Sequence, residues 1–199
     1  MNAINKVIKA SLIEPYKKIP AGVIVFGKKA LLLLAAWLLL YQCLLKPTRF
    51  PDKWLTETTT AATVYSLNQC YKTGFGMDRD VVIPRPDNKT TQGCVITFEN
   101  QYKLIVADGC NALDLFVLYT AFLWCFPATT KRMLLFAVPG IAGIFLLNII
   151  RLYILTILAI NHSPLLHFAH HYAFTLVVYS CIFGGWMLYT KKYEPKKTA

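Results

Sequence analysis

Four apolar runs, near residues 30–45, 113–127 (extendable back to 110), 133–160 and 172–190, limit what this chain can fold into more than any other feature. About 20 apolar residues match the roughly 30 Å hydrocarbon core of a bilayer, where a helix satisfies its own backbone hydrogen bonds. Hydrophobic residues make up 56% of the chain and charged ones 16%, which excludes a disordered segment and exceeds the usual apolar share of a soluble domain. The expected fold class is an all-α membrane protein with four transmembrane helices, about 30–46, 110–128, 133–160 and 172–190, in a single integral membrane domain over 1–199. The first run is short and follows a lysine-rich segment, as in a signal peptide. No small-x-small cleavage site follows it, since the chain reads Tyr41-Gln42-Cys43-Leu44-Leu45-Lys46, so it is read as a retained anchor. The third is long for one crossing, and Pro139-Gly140 with Gly143 supply an expected bend near its start.

The net charge of +11 raises the question of nucleic acid, and its distribution answers it. Six lysines (Lys6, Lys9, Lys17, Lys18, Lys28, Lys29) precede the first run, Lys131 and Arg132 lie between the second and third, and Lys191, Lys192, Lys196 and Lys197 follow the fourth. The segment 46–108 carries eight basic and seven acidic residues and is nearly neutral. The excess is juxtamembrane, as the positive-inside rule requires of cytoplasmic flanks, and no basic face with interleaved aromatics exists for nucleic acid. Both termini and the 129–132 loop are therefore expected in the cytoplasm, with 46–108 and 161–171 on the outer side of a cell inner (plasma) membrane.

The insertion 46–108 reads as a small extracytoplasmic α/β unit. Residues 56–71, with Ala61, Ala62, Val64, Tyr65 and Leu67, suggest a helix lying along the membrane. A Gly/Asp/Pro-rich stretch, 72–92, holds a short strand at 81–83, and 94–98 with 102–107 flank Glu99-Asn100-Gln101 as a β-hairpin. Cys70 and Cys94 share this outer segment, where oxidising surroundings would permit a disulfide. Cys43, Cys125 and Cys181 fall inside apolar runs as small hydrophobes. No Cys-x-x-Cys or matching histidine pair suggests zinc, and no cofactor or metal is expected.

Cys110 stands apart. With Asp108 as N-cap it falls in the first turn of the second span, where free N–H groups and the helix dipole favour a thiolate. Arg151 lies within the third span, where an arginine costs roughly 2.5–3.5 kcal/mol on insertion scales and faces an interior task, and Asn148 shares its face three residues earlier. His170 and His171 precede the fourth span on the same side, with His162 and His167 in the same loop. A thiol, an imidazole and a guanidinium on three helices near one leaflet have complementary chemistry: nucleophile, proton carrier and oxyanion-stabilising cation. Asp114, four residues after Cys110, either orients the histidine, balances Arg151 or serves the helix dipole, and Asn111 is a candidate oxyanion donor.

At these residues the chain resembles the exosortase/archaeosortase family of membrane-embedded, sortase-like cysteine transpeptidases, of a short bacterial type. The matching pieces are Asp108-Gly109-Cys110-Asn111, Asn148-Ile149-Ile150-Arg151 and His170-His171-Tyr172, in order and on successive spans over residues 104–190. The chain departs from the family in placing Asn111-Ala112 after the cysteine, where many members carry Ser-Gly. The resemblance implies an enzyme that cleaves a C-terminal sorting signal (a motif, a hydrophobic helix and a basic tail) of exported proteins through a thioacyl intermediate. An acceptor glycan, lipid or water then resolves that intermediate. It implies Cys110 as nucleophile, Arg151 as oxyanion stabiliser or substrate-orienting cation, and a histidine as general base and acid. His171 is favoured because Thr175 follows it by four, with His170 and Asn148 as alternative or supporting residues. The other function class is a non-catalytic membrane scaffold or accessory subunit of surface-polymer export, in which the same polar groups hold helices together. A transporter centred on Arg151 would need more ionisable residues in the spans than Asp114. Apart from membrane lipids, the expected partners are the exported substrates and acceptors, with no nucleic acid.

Overall fold

The computed structural model describes residues 21–71, 74–84, 90–126 and 128–191. The expectations on the lysines before residue 20 and after 191, and on parts of the 72–92 stretch, lie outside those residues.

The leucine- and alanine-rich first helix, α1 (Ala21–Leu40), continues through a π-helical turn, Tyr41–Leu45, and a last turn, Lys46–Thr48. It stops where Arg49 adopts a left-handed conformation (φ 54°), its N–H reaching the Lys46 carbonyl. Helix α2 (Asp52–Tyr71) follows, then the strands β1 (Phe75–Pro84), β2 (Thr90–Phe98) and β3 (Gln101–Ala107). After a 3₁₀ turn, Asp108–Cys110, come α3 (Leu113–Cys125), α4 (Thr130–Ile160), α5 (Leu165–Phe168), a π-helical turn, Ala169–Ala173, and α6 (Phe174–Lys191).

Among the described residues, three stretches, Gly22–Thr48, Thr130–Ile160 and Leu165–Lys191, are long and apolar enough to cross a bilayer. The expected second span is a shorter apolar helix: α3 has 13 residues, about 20 Å at 1.5 Å each. The first span is longer than expected because helix already runs through residues 22–29. The last also begins earlier, at Leu165, so His167, His170 and His171 lie within it rather than before it.

Two hydrophobic clusters divide the molecule. One gathers Tyr119, Leu123, Ala137, Ile144, Val178, Ile182 and Tyr189 from α3, α4 and α6. Gly140 and Gly185 lie against the two sides of the Tyr119 ring, whose hydroxyl donates to the Phe136 carbonyl (3.1 Å). The other joins Leu67 of α2, Phe75, Ile96 and Val106 of the sheet and Leu152 of α4. Helix α4 belongs to both. At 31 residues it is about 46 Å long, and continuous through Pro139, so its final turns become part of the core of the insertion.

Helix α2 buries Asp52, Leu55, Thr56, Thr59, Thr60, Thr63 and Leu67, while Tyr65, read from sequence as part of an apolar face, is 68% exposed. The buried threonines pass their hydroxyl hydrogens to carbonyls four residues back, at 2.7–2.8 Å, which leaves the methyl groups to pack. The expected hairpin is present. Strands β2 and β3 pair antiparallel around Glu99 (φ 51°) and Asn100 (φ 60°), the two left-handed residues of a tight primed turn. The short strand expected at 81–83 is a full strand, β1, that completes an antiparallel order β1-β2-β3. A bulge between Asp78 and Val81 puts Asp80 in a left-handed conformation (φ 54°).

No disulfide joins Cys70 to Cys94; both are free thiols. The buried Cys94 meets Thr60 and the Asp80 backbone, and that burial pushes its thiol up from the ordinary range. Cys70 lies ten residues beyond Thr60 on α2, about 15 Å along the helix, near Tyr153.

Candidate active site

Strand β3 delivers the chain directly into Asp108–Cys110. The expected helix does not start there. Asp108 is not an N-cap and Cys110 is not in the first turn of α3, because Ala112 takes a left-handed conformation (φ 66°) that interrupts the helical path. Ala112 is the N-cap residue, and Asn111, just before it, satisfies the first helical N–H, its Oδ1 accepting from Leu113 at 2.9 Å. Cys110 is thus presented on a short loop between the sheet and the helical bundle, half-buried beside the insertion core.

Each side of that loop is tied down. Asp108 accepts from Arg49 Nε at 2.8 Å, while its other carboxylate oxygen is buried without a partner. Arg49 also pairs with Asp80, which Lys53 holds from the other side at 2.7 Å. These two hydrogen bonds, Lys53's first and Arg49's second, lower the Asp80 carboxyl to about 2, and the same contact raises Lys53 above its usual value. On the far side, Asn111 is 2% exposed and donates from Nδ2 to Asp52 Oδ1 (2.7 Å) and the Asp52 carbonyl (3.2 Å). The Tyr41 side chain lies near the same carboxylate. Asn111 is therefore committed to Asp52 and Leu113 rather than offered to an oxyanion.

Helix α4 reaches the loop through Asn148, 4% exposed, whose Nδ2 donates to the Cys110 carbonyl at 3.1 Å. One turn later comes Arg151. From sequence it sits deep in a span, but Ile144 and Leu147 before it pack in the bundle and Leu152 after it packs under the sheet. Arg151 thus lies where the two clusters meet. Its Nη2 is 3.4 Å from His170 Nε2. A guanidinium has only donors, so this ring nitrogen is the acceptor. Arg151 Nε is buried with no hydrogen-bond partner.

The π-helical turn carries both candidate histidines and directs them differently. His170 is half-buried against Arg151, whereas His171 is exposed, its ring 4.7 Å from that of His170 and 4.5 Å from that of His167. Thr175, four residues on, donates to the His171 carbonyl rather than to the ring. Among the described residues, no hydrogen bond runs from the Cys110 thiol to Arg151 or His170. Asp114 lies in the first turn of α3, where an acid suits the helix dipole, and lines an apolar crevice of about 500 Å³ shared with α1 and α6.

The structure therefore brings Cys110, Asn148, Arg151 and His170 to one junction. A family model described as Transmembrane exosortase (Exosortase_EpsH) matches residues 12–188. The chain belongs to the transmembrane exosortase family. No curated protein and no solved structure matches it. In this exosortase the matched region includes α1 and the insertion as well as the three motif-bearing segments. Arg49, Asp52 and Thr56 carry no motif that would have marked them, and only the fold puts them beside the cysteine loop.

Proposed function

We propose that this exosortase is a membrane-embedded cysteine transpeptidase of the plasma membrane, crossing it several times with both termini cytoplasmic and its active site on the outer face. It takes exported proteins that end in a hydrophobic helix and a basic tail. Cys110 attacks the peptide bond preceding that helix, the tail helix leaves with a proton on its new amine, and a thioester joins the substrate to the enzyme. A hydroxyl of a glycan or lipid acceptor, or water, then attacks the thioester and restores the thiol. Arg151 stabilises the tetrahedral oxyanion or orients the substrate, and His170 moves the proton.

The observation that carries this proposal is the run of contacts from the Cys110 carbonyl to Asn148, one turn along α4 to Arg151, and across to His170. A buried guanidinium nitrogen without an acceptor supports Arg151's role, since buried donors are otherwise almost always paired. His170 is chosen over His171 because it is the ring that meets Arg151; His171 remains on the exposed side of the same turn. Asn148 supports the site by holding the loop.

Co-expression of a tagged substrate bearing such a C-terminal signal, with mass spectrometry of its C terminus, tests the proposal. Wild-type enzyme yields a shortened product and a hydroxylamine-sensitive adduct on Cys110. Cys110→Ala leaves the full-length precursor. Normal processing by Cys110→Ala would remove the thiol from the chemistry and favour a scaffold.

A further inference from the structure

Two side-chain bonds straddle Cys110, and both come from the corner where α1 turns into α2. Arg49 grips Asp108, two residues before the cysteine, and Asp52 grips Asn111, one residue after it. Arg49 and Asp52 are three residues apart, as are Asp108 and Asn111, and both pairs span 59 positions of sequence. The corner is thus laid against the loop in register, end to end.

We infer that Arg49 and Asp52 are positioning residues for Cys110, forming a two-point clamp that fixes the loop from outside its own strand and helix. This assignment rests on the proposed role of Cys110. Three features of the structure support it. Asp52 is only 4% exposed although it is an acidic residue, and its Oδ1 accepts from Asn111 Nδ2 at 2.7 Å; buried polar groups persist where such partners exist. Ala112 is held at φ 66°, a backbone conformation an alanine leaves unless its neighbours are fixed. Helix α1 buries none of the residues in its apolar window inside the protein and meets α3 through Phe26 against Phe122 and Phe126, and at its outer end the chain passes into the contacts that hold the nucleophile loop.

The clamp also explains why Asn111 follows the cysteine. Its amide joins two requirements: Oδ1 satisfies the Leu113 N–H at the start of α3, and Nδ2 reaches Asp52. Serine is too short to span both. Asn148 completes the restraint from α4 by taking the Cys110 carbonyl. The nucleophile loop is therefore held by α2, by the α1 corner and by α4. A displacement of about 1 Å in such a site costs on the order of a hundredfold in rate.

Hydrogen exchange of the full-length protein in lipid nanodiscs, resolved to residues 108–113, tests the clamp without a substrate. Processing of the tagged precursor is followed in parallel. Asp52→Ala is expected to lower protection at 110–113 about 10- to 100-fold, the effect of losing a hydrogen bond to a charged group, while strands 94–98 and 101–107 keep theirs. Asp52→Asn keeps a side-chain oxygen for Asn111 and is expected to restore protection and processing to within about threefold of wild type. Asn111→Ala combined with Asp52→Ala is expected to be no worse than Asn111→Ala alone, since Asn111→Ala already removes the bond to the Asp52 carboxylate together with the bond from the Leu113 N–H. For processing, kcat falls with Asp52→Ala and KM stays within about twofold, because the substrate surface is untouched.

Unchanged protection at 110–113 in Asp52→Ala, or an Asp52→Asn variant as damaged as Asp52→Ala, overturns the clamp. If Asp52→Ala loosens the sheet as well, Asp52→Asn decides: protection at 110–113 within about threefold of wild type supports the clamp, and protection lost there as in Asp52→Ala overturns it. Should Cys110→Ala process normally while exchange behaves as stated, the transpeptidase proposal fails and the clamp stands.

Discussion

The two adjacent histidines give the sharpest test of the geometry. His170 is half-buried with Nε2 against Arg151, while His171 is exposed and touches only neighbouring imidazoles among the described ring contacts. Replacing His170 by alanine removes a proton carrier, which general acid–base catalysis values at about 10²–10⁴-fold. It also leaves a second nitrogen of Arg151 without a partner, beside the Nε already unpaired, at a further cost of about 1–3 kcal/mol. Replacing the exposed His171 changes a surface residue, worth within about 0.5 kcal/mol, or roughly a factor of two. The assay is the rate of C-terminal processing of the tagged precursor, read by mass spectrometry at matched expression. His170→Ala is expected to lose at least a hundredfold. His170→Gln, which keeps an acceptor for Arg151 but cannot shuttle a proton, is expected to be folded yet similarly inactive. His171→Ala is expected to process normally. The reverse order, with His171 essential and His170 dispensable, would refute the reasoning and restore the preference that Thr175 suggests from sequence.

Arg151→Lys is expected to lower processing by about 10²–10³-fold, because one ammonium cannot both meet His170 and present a second fixed donor to an oxyanion; activity within threefold of wild type would remove Arg151 from that role. Gly93→Ala is expected to destabilise the protein by about 1–3 kcal/mol in thermal unfolding, since its Cβ would overlap the Val106 carbonyl and the Ala107 backbone, whereas Gly143→Ala, with open space around it, is expected to be neutral or stabilising. The Asp80 carboxyl is lowered to about 2 in the folded protein, so its contribution is present in full above the ordinary carboxylate value of about 3.9 and is lost as pH falls through about 2. Carboxyl NMR across acid pH should place its midpoint there and move it upward in Lys53→Ala; a wild-type midpoint near 4 would contradict the ion cluster.

Much of this architecture is legible in the residues because bilayer solvation acts on composition. Runs of leucine, isoleucine and valine must become helices in hydrocarbon whatever they pack against, and lysines must stay in water, so the long apolar stretches and the shape of the chain follow from local chemistry. The hairpin around Glu99 and Asn100 is local too, since a primed turn is defined by two adjacent residues. The candidacy of Cys110, Arg151 and a histidine also rests on sequence, which sets a thiol, a guanidinium and an imidazole near one end of three apolar runs.

Other features depend on partners distant in sequence. The buried face of α2 is a threonine stripe, invisible to a search for apolar periodicity, because each hydroxyl is satisfied by its own helix. The start of α3 at Leu113 rather than at Cys110 depends on Asn111, and Asn111 is held by Asp52, 59 residues away. Arg151 lies at the junction of two cores because α4 outgrows the bundle and enters the insertion, which its length allows but only the α/β unit makes use of. Between His170 and His171 the residues are identical, and the difference is which face of a π-helical turn meets Arg151. Sequence determined which segments are long and apolar enough for a bilayer, and the chemical groups at hand. Tertiary structure decided which of those groups meet, since a hydrogen bond between residues 59 apart depends on the packing of every element between them.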